Sequence, residues 1–419
     1  MKREAVILAG GFGTRLKSVL SDLPKPMAPV GREPFLAHLL RYVSSQGFCH
    51  VVLSVGFKHE TVTEYFGDTF EGLRLSYEVE ETPLGTGGAL LAASRHIDSD
   101  SYAVFNGDTM FEVDMGAMFS AHEREKANVT IAVKSLERFD RYGTVSIGAD
   151  RRIAGFAEKR FVEKGFINGG VYVMDRDALG RAGQEGSFSL ERDFFERCVG
   201  SCNMFAFPSR GYFLDIGIPD DYDRAQLEVP LVGLAIDKGW TLFLDRDGVI
   251  NRNIDGDYVR DWQQFEFLSG ATEALTVLSR LFGRVIVVTN QQGVGKRLYA
   301  SEDVDEIHRH LKAAVAAAGG QIDAFYYCPH LASESCDCRK PRAGMIMQAA
   351  TDFPGVDLGR SILVGDSPHD TECALRAGIR AVAVGPRTWD DPLPTARFHD
   401  LRMFADVLVQ TSLRAGGPS

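Results

Sequence analysis

Short, uniformly apolar blocks alternate along the chain with longer stretches of helical period. "AVILAG" (5–10) leads to "PFLAHLLRYVSSQ" (34–46), which Gly47 stops, and then come "HVVLSVG" (50–56), "SYAVFNGD" (101–108) and "NVTIAV" (128–133). Uniform apolar blocks between amphipathic helices predict an α/β layer fold on a mainly parallel sheet. The rhythm restarts after residue 230 with "WTLFLDRDG", the helix "GATEALTVLSRLF", "RVIVVTN", the helix "SEDVDEIHRHLKAAVAAAG", "IDAFYY" and "SILVGDS". Between the two sets, "EVPLVGLAIDKG" keeps neither period and carries Pro230 and two glycines, so the joint is expected near 228–238. The predicted organisation is two doubly wound α/β domains, 1–230 and 238–390, followed by a C-terminal helix and tail at 391–419. The helix "LRMFADVLVQTSL" has no assigned role, and the final "RAGGPS" reads as disordered.

A chain of 419 residues is long enough for two or three bodies, each burying its own core. Its 25% charged and 45% hydrophobic residues are globular values, and the net charge of −11 argues against a nucleic-acid surface while leaving room for local basic pockets. Small-molecule substrates are therefore expected. The opening "MKREAVILAGG" has an apolar run too short for a signal peptide, and no stretch reaches the roughly 20 apolar residues of a membrane span. A cytoplasmic enzyme without membrane or nucleic-acid partners is expected, with a homo-oligomer left open. In that reducing compartment cysteines favour thiols or metal ligands over disulfides, and Cys49, Cys198, Cys202 and Cys373 are assigned to packing.

Chemistry gathers first at "LAGGFGTRL" (8–16), where a strand runs into glycines that can turn backbone N–H groups toward phosphate, with Arg15 to offset charge. "LPKPM" holds Lys25 between two prolines; "PLGTGGAL" offers a second glycine turn with Gly85, Gly87 and Gly88; "FNGDT" sets Asp108 at the end of an apolar strand, where open α/β sheets bind ligands. Over residues 1–228 this set resembles the sugar-1-phosphate nucleotidyltransferases. The resemblance implies nucleotide binding by Gly10, Gly11, Gly13 and Thr14 with Gly85, Gly87 and Gly88, catalytic roles for Arg15 and Lys25, and Mg²⁺ on Asp108 and Asp215 of "FLDIGIPDDY". It further implies that "FAEK" (Glu158, Lys159) and "INGGVYV" (Asn168, Gly169) bind the sugar phosphate. "ETPLGTGGAL" and "SLERDFF" are most similar to the D-glycero-α-D-manno-heptose 1-phosphate guanylyltransferases, although cytidylyl-, uridylyl- and thymidylyltransferases share the phosphate apparatus.

In "LFLDRDGVIN" (242–251), Asp245 and Asp247 lie two apart on extended backbone, so both carboxylates can reach one site if a cation offsets their repulsion. With "VVTN", the lysine of "RKP" and "LVGDSPHD" they form an ordered set that resembles the haloacid dehalogenase phosphatases over about residues 238–388. The resemblance implies Asp245 as nucleophile, Asp247 as acid and base, Mg²⁺ on Asp245, Asp247 and Asp366, and phosphate held by Thr289, Asn290 and Lys340. Asp370 supports the metal site or caps a helix. The intervals between these motifs leave little room for a large cap domain.

The stretch "CPHLASESCDCRKP" sets Cys328, His330, Cys336 and Cys338 as C-x-H-x5-C-x-C, a closed tetrahedral donor set for structural Zn²⁺. It ends directly before Arg339 and Lys340, so a zinc-stiffened loop is expected to aim both cations at substrate phosphate in place of a cap. Together with "TNQQGVG" and "CRKPRAGM", this loop resembles the D-glycero-D-manno-heptose 1,7-bisphosphate phosphatases and, more distantly, the histidinol-phosphate phosphatases. It departs from them at Ala343, where proline is usual, and in a short loop before Cys336. The expected function is a bifunctional, Mg²⁺-dependent enzyme that removes the 7-phosphate of the heptose bisphosphate and transfers a nucleotidyl group, GMP from GTP, to the resulting 1-phosphate. The alternative is a hexose-1-phosphate nucleotidyltransferase fused to a histidinol-phosphate-type phosphatase.

Overall fold

The computed structural model describes residues 3–11, 23–181, 183, 186–234, 236–254, 256–389 and 391–415, and it separates into two compact units, 1–225 and 226–419. Gly13, Thr14 and Arg15 lie outside the described residues.

In the first unit the central strand Arg3–Leu8 runs parallel to Phe48–Val55 on one side and to Ser101–Asn106 on the other, and Leu73–Val79 extends the parallel half. The helix Phe35–Ser45 ends just before Gly47, whose φ of 79° turns the chain into the next strand. Beyond Ser101–Asn106 the sheet changes character. Val162–Asp175 pairs antiparallel with both Ser101–Asn106 and Val129–Phe139, and Thr144–Ile147 forms a hairpin with Ile153–Ala157. The ten-stranded sheet is therefore mixed, not mainly parallel as expected. Residues 140–143, 148–152 and 158–161 join these strands, and loops of that length cannot carry the crossover helix that parallel neighbours need.

The second unit has six strands, all parallel, in the order Ala324–Cys328, Arg284–Asn290, Thr241–Leu244, Ser361–Gly365, Arg380–Val384, Ala396–Phe398. Side chains alternate between two cores. Leu242, Leu244, Val285, Val287, Ile362 and Val364 join one cluster, and Phe243, Ile286, Val288 and Leu363 join the other. Covering both faces explains why these strands read as unbroken apolar runs. The helix Leu401–Ala415, without a role on sequence grounds, closes the first cluster: Leu401, Phe404 and Leu408 pack there, and the Phe404 ring lies 5.4 Å from that of Phe398. It also runs two residues into the segment expected to be disordered. Cys373 is buried as expected, Cys198 and Cys202 are half-buried, but Cys49 is exposed, because it points outward at the start of its strand.

Phe404→Ala should cost about 3–5 kcal/mol, the usual range for emptying a buried aromatic site. Amide exchange should accelerate in Arg380–Val384 and Ala396–Phe398 and stay unchanged in Arg3–Leu8; unaltered protection in the former pair would show that the helix is not part of the core.

Candidate active sites

The carboxyl ends of the parallel strands in the first unit open on a cleft of about 480 Å³ lined by Gly10, Gly11, Lys25, Glu80, Gly85 and Asp108, among others. Among the described residues, a side chain at Gly11 would meet nothing within 4 Å. Asp108 follows Ser101–Asn106, and the antiparallel pairing of Phe213–Asp215 with Thr109–Phe111 sets Asp215 opposite Thr109. The two carboxylates meet at Lys25, whose Nζ is 2.5 Å from Asp108 Oδ2 and 3.5 Å from Asp215 Oδ1. Burial pushes the Asp215 carboxyl up and the Asp108 charge adds to this, while Lys25 pulls it back.

Other expected residues have visible local tasks. Gly87 and Gly88 are pressed against the Phe188 ring and the Gly186 carbonyl, where any side chain would come within 2.4 Å. Asn168 donates to Tyr172 Oη at 3.1 Å and accepts from Gly170 N at 3.0 Å, which pins a bulge in its strand, and Gly169 leaves space for the Phe111 ring. Glu158 and Lys159 are exposed in the loop after Ile153–Ala157 and are not among the cleft's lining residues. Glu80 was not foreseen: it follows Leu73–Val79, and its carboxylate accepts from Ser54 Oγ and Leu84 N, both at 3.2 Å. The one signal for it is its position at a strand's end.

In the second unit Asp245 follows the central strand Thr241–Leu244. Lys340, 3% exposed, sets its Nζ 2.8 Å from Asp245 Oδ1 and 2.6 Å from Asp370 Oδ1, and donates to Val288 O at 2.9 Å. Asp245, Asp366 and Asp370 bring oxygens within 4.8 Å of one another. Burial pushes Asp245 and Asp366 up, Asp366 to about 6, and the neighbouring carboxylates add to it. Asp370 thus joins the carboxylate group instead of capping a helix. The Asp247 side chain, expected in that group, is held elsewhere. Its oxygens accept from Arg246 Nη2 at 3.0 Å, Asn251 Nδ2 at 2.9 Å and Gln291 Nε2 at 2.8 Å. Burial opposes its charge, but Arg246 and these donors hold the carboxyl below its ordinary value.

Asn290, expected on phosphate, instead grips the Lys340 backbone: its Nδ2 donates to Lys340 O at 3.1 Å and its Oδ1 accepts from Lys340 N at 3.0 Å. Arg339 donates from Nη2 to Gln292 Oε1 at 3.2 Å, while its Nη1 is buried with no partner among the described residues. Arg246 was not foreseen as a structural charge, yet it is 0% exposed.

Cys328, at the end of strand Ala324–Cys328, meets His330, Cys336 and Cys338. The pairs Cys328–His330, Cys328–Cys336, His330–Cys338 and Cys336–Cys338 lie 3.6, 3.5, 3.2 and 3.4 Å apart. Donors about 2.0–2.3 Å from a tetrahedral Zn²⁺ would be separated by about 3.5–3.8 Å, so the four already approximate that shape. Gly295 N donates to Pro329 O at 2.9 Å and Gln291 N to Cys328 O at 2.8 Å, which ties this loop to the segment that follows Thr289.

A model of the nucleotidyl transferase family matches residues 4–230, and a model of HAD-hydrolase-like proteins matches residues 337–386. The D-glycero-α-D-manno-heptose 1-phosphate guanylyltransferase of Aneurinibacillus thermoaerophilus is 45% identical over 226 residues, 54% of this chain and 98% of the relative. Its namesake in Campylobacter jejuni is 39% identical over 219 residues, 52% of this chain and 96% of the relative. The D-glycero-α-D-manno-heptose-1,7-bisphosphate 7-phosphatase of Mycobacterium tuberculosis is 52% identical over 144 residues, 34% of this chain and 76% of the relative. By its first half the chain belongs to the nucleotidyl transferase family, and by its second half to the HAD-like hydrolases.

Proposed function

We propose that this chain is a bifunctional enzyme of nucleotide-activated heptose synthesis. The second unit removes the 7-phosphate of D-glycero-α-D-manno-heptose 1,7-bisphosphate, and the first transfers GMP from GTP to the resulting 1-phosphate and releases pyrophosphate. The observation that carries the reading is the presence in one chain of two halves similar to enzymes named for these two reactions. They form a sequence only in this order, because the nucleophile of the second step is the anomeric phosphate that the first step leaves in place.

In the phosphatase half, Asp245 Oδ attacks the 7-phosphorus and the bond to the sugar oxygen breaks. Asp247, ionised while Arg246 grips it, must first take up a proton from solvent to give to that oxygen, and then takes one from the water that opens the aspartyl phosphate. Lys340 and Thr289 hold the transferring phosphate, Asn290 keeps the Lys340 backbone in place, and Arg339, whose buried Nη1 has no partner among the described residues, binds the second phosphate. Three carboxylates against one ammonium in a buried site leave negative charge uncompensated, and their hard oxygens fit Mg²⁺, which Asp245, Asp366 and Asp370 would hold. Mg²⁺ there supplies charge neutralisation for phosphoryl transfer. In the transferase half, Asp108 and Asp215 would hold Mg²⁺, and Lys25, Arg15 and the Gly10–Gly11 backbone neutralise and orient the triphosphate. Gly13 and Thr14 with Gly85 complete the nucleotide loops. The sugar phosphate is assigned to Glu158, Lys159, Asn168 and Gly169 by the resemblance alone, since Glu158 and Lys159 do not line the cleft and Asn168 is engaged with Tyr172 and Gly170. Cys328, His330, Cys336 and Cys338 hold a structural Zn²⁺.

With heptose bisphosphate, GTP and Mg²⁺, the intact chain should yield phosphate, pyrophosphate and GDP-heptose. Asp245→Asn should lower phosphate release on the order of 10³-fold or more yet still convert supplied heptose 1-phosphate. Asp108→Ala should instead accumulate the 1-phosphate. Release of the anomeric phosphate first, or refusal of heptose 1-phosphate with every triphosphate, would break the consecutive scheme.

Purified protein should contain about one zinc per chain, and Cys336→Ser should lose it together with phosphatase activity while transferase activity persists. A zinc-free, fully active phosphatase would remove the structural role assigned to the cluster.

A further inference from the structure

Gln291 has no part in the roles assigned above, yet it is 1% exposed and its carboxamide is fully engaged. Nε2 donates to Asp247 Oδ2 at 2.8 Å and to Thr289 Oγ1 at 2.9 Å, while Oε1 accepts from Tyr299 Oη at 2.8 Å. Both hydrogens of the amide are thereby used. The opposite orientation would set Oε1 against a carboxylate that Arg246 and Asn251 already hold, oxygen facing oxygen. On the other side Tyr299 Oη lies within donating distance of Oε1, which is consistent with the same orientation.

Two consequences follow. The Thr289 oxygen accepts an N–H, so its own hydrogen must point away from Gln291 and is left for another acceptor. The Asp247 carboxylate is gripped by Arg246, Asn251 and Gln291 together and has little freedom to rotate. We propose that Gln291 is a positioning residue of the phosphatase site: its carboxamide, locked by Tyr299, fixes both the direction in which Thr289 offers its hydroxyl hydrogen to phosphate and the direction in which Asp247 faces the leaving oxygen. This rests on the phosphatase reading above. It places the two halves of the chemistry, phosphate grip and proton transfer, under one side chain whose hydrogen bonds all run to Asp247, Thr289 and Tyr299.

The test compares Gln291→Leu, Gln291→Glu and Tyr299→Phe in the full chain, with p-nitrophenyl phosphate and heptose bisphosphate as substrates. Each Gln291 variant should lower kcat about 10- to 100-fold and raise KM. Tyr299→Phe, which removes one oxygen and keeps the ring, should lower kcat about 5-fold, the effect of one hydrogen bond. In a Thr289→Val background the KM effect of Gln291→Leu should vanish, because the hydroxyl it orients is gone. Transfer of GMP to supplied heptose 1-phosphate should be unchanged in all variants, and retention of about one zinc per chain serves as the folding control for the phosphatase unit. Unchanged kcat and KM in Tyr299→Phe and Gln291→Glu, or full additivity of Gln291→Leu with Thr289→Val, would overturn the proposal. Wild-type turnover of the aryl phosphate without turnover of heptose bisphosphate would instead remove the heptose reading, and the aryl phosphate kinetics would still decide the role of Gln291.

Discussion

In each unit a single lysine ammonium lies between two aspartates, and the rest of each site is arranged around that contact. Lys25 bridges Asp108 and Asp215; Lys340 bridges Asp245 and Asp370. Carboxylates gathered at one place repel, and burial removes the water that would screen them. A lysine between them makes the gathering tolerable but leaves a net negative charge, which is the condition for holding a divalent cation. The two sites differ in depth. Lys25 is 12% exposed in its side chain and Lys340 3%, so the first resembles a cleft floor and the second a closed pocket.

The route by which the chain assembles these triads is topological. Asp108 and Asp245 both stand just past the carboxyl end of a strand, where backbone leaves the sheet and side chains of neighbouring elements converge. Their partners come from far along the chain: Lys25 and Asp215 are 190 residues apart, and Lys340 reaches Asp245 through a loop whose backbone Asn290 holds on both its N–H and C=O. The cysteine and histidine cluster belongs to the same solution. A lysine on a free loop would choose solvent over a buried carboxylate pair; one whose loop is gathered at four donor atoms and pinned by Asn290 starts the contact already ordered.

What the sequence disclosed and what it hid divide along the same line. Strand ends followed by acidic residues were legible, because an unbroken apolar strand and a carboxylate directly past it, as at Asp245, or one residue further on, as at Asp108, are local features. The cysteine spacing was legible for the same reason. Arg246 and Gln291 were not: a charge at the centre of "DRD" reads as solvated, and its burial depends on Asp247 and on His308, 62 residues away. Gln291 meets Asp247 across 44 residues, and nothing in its neighbourhood announces that partner. Asn290 was read as a phosphate contact through the resemblance that "VVTN" carries, yet its place at a strand's end equally suits a strut for Lys340. The mixed sheet of the first unit was hidden because the hairpin strands Thr144–Ile147 and Ile153–Ala157 are only 4 and 5 residues long and carry threonine, serine or glycine among their apolar residues, so they lack the apolar signature of the central strands.

Regiochemistry ties the second site to the first. A phosphatase that removed the anomeric phosphate would destroy the nucleophile its partner domain needs, so the proposed substrate must be held by the phosphate that is kept as well as by the one that leaves. Lys340 cannot serve both, since its charge is already shared by Asp245 and Asp370. Arg339 is differently placed: its described partner is the neutral Gln292 side chain, and its Nη1 is buried without one. A guanidinium in that state favours a dianion that can accept two hydrogen bonds in its plane. On the proposed reading, adjacent residues beside the cysteine and histidine cluster thus divide the work by charge environment, the lysine shared by two carboxylates at the reacting phosphorus and the arginine at the phosphate to be spared.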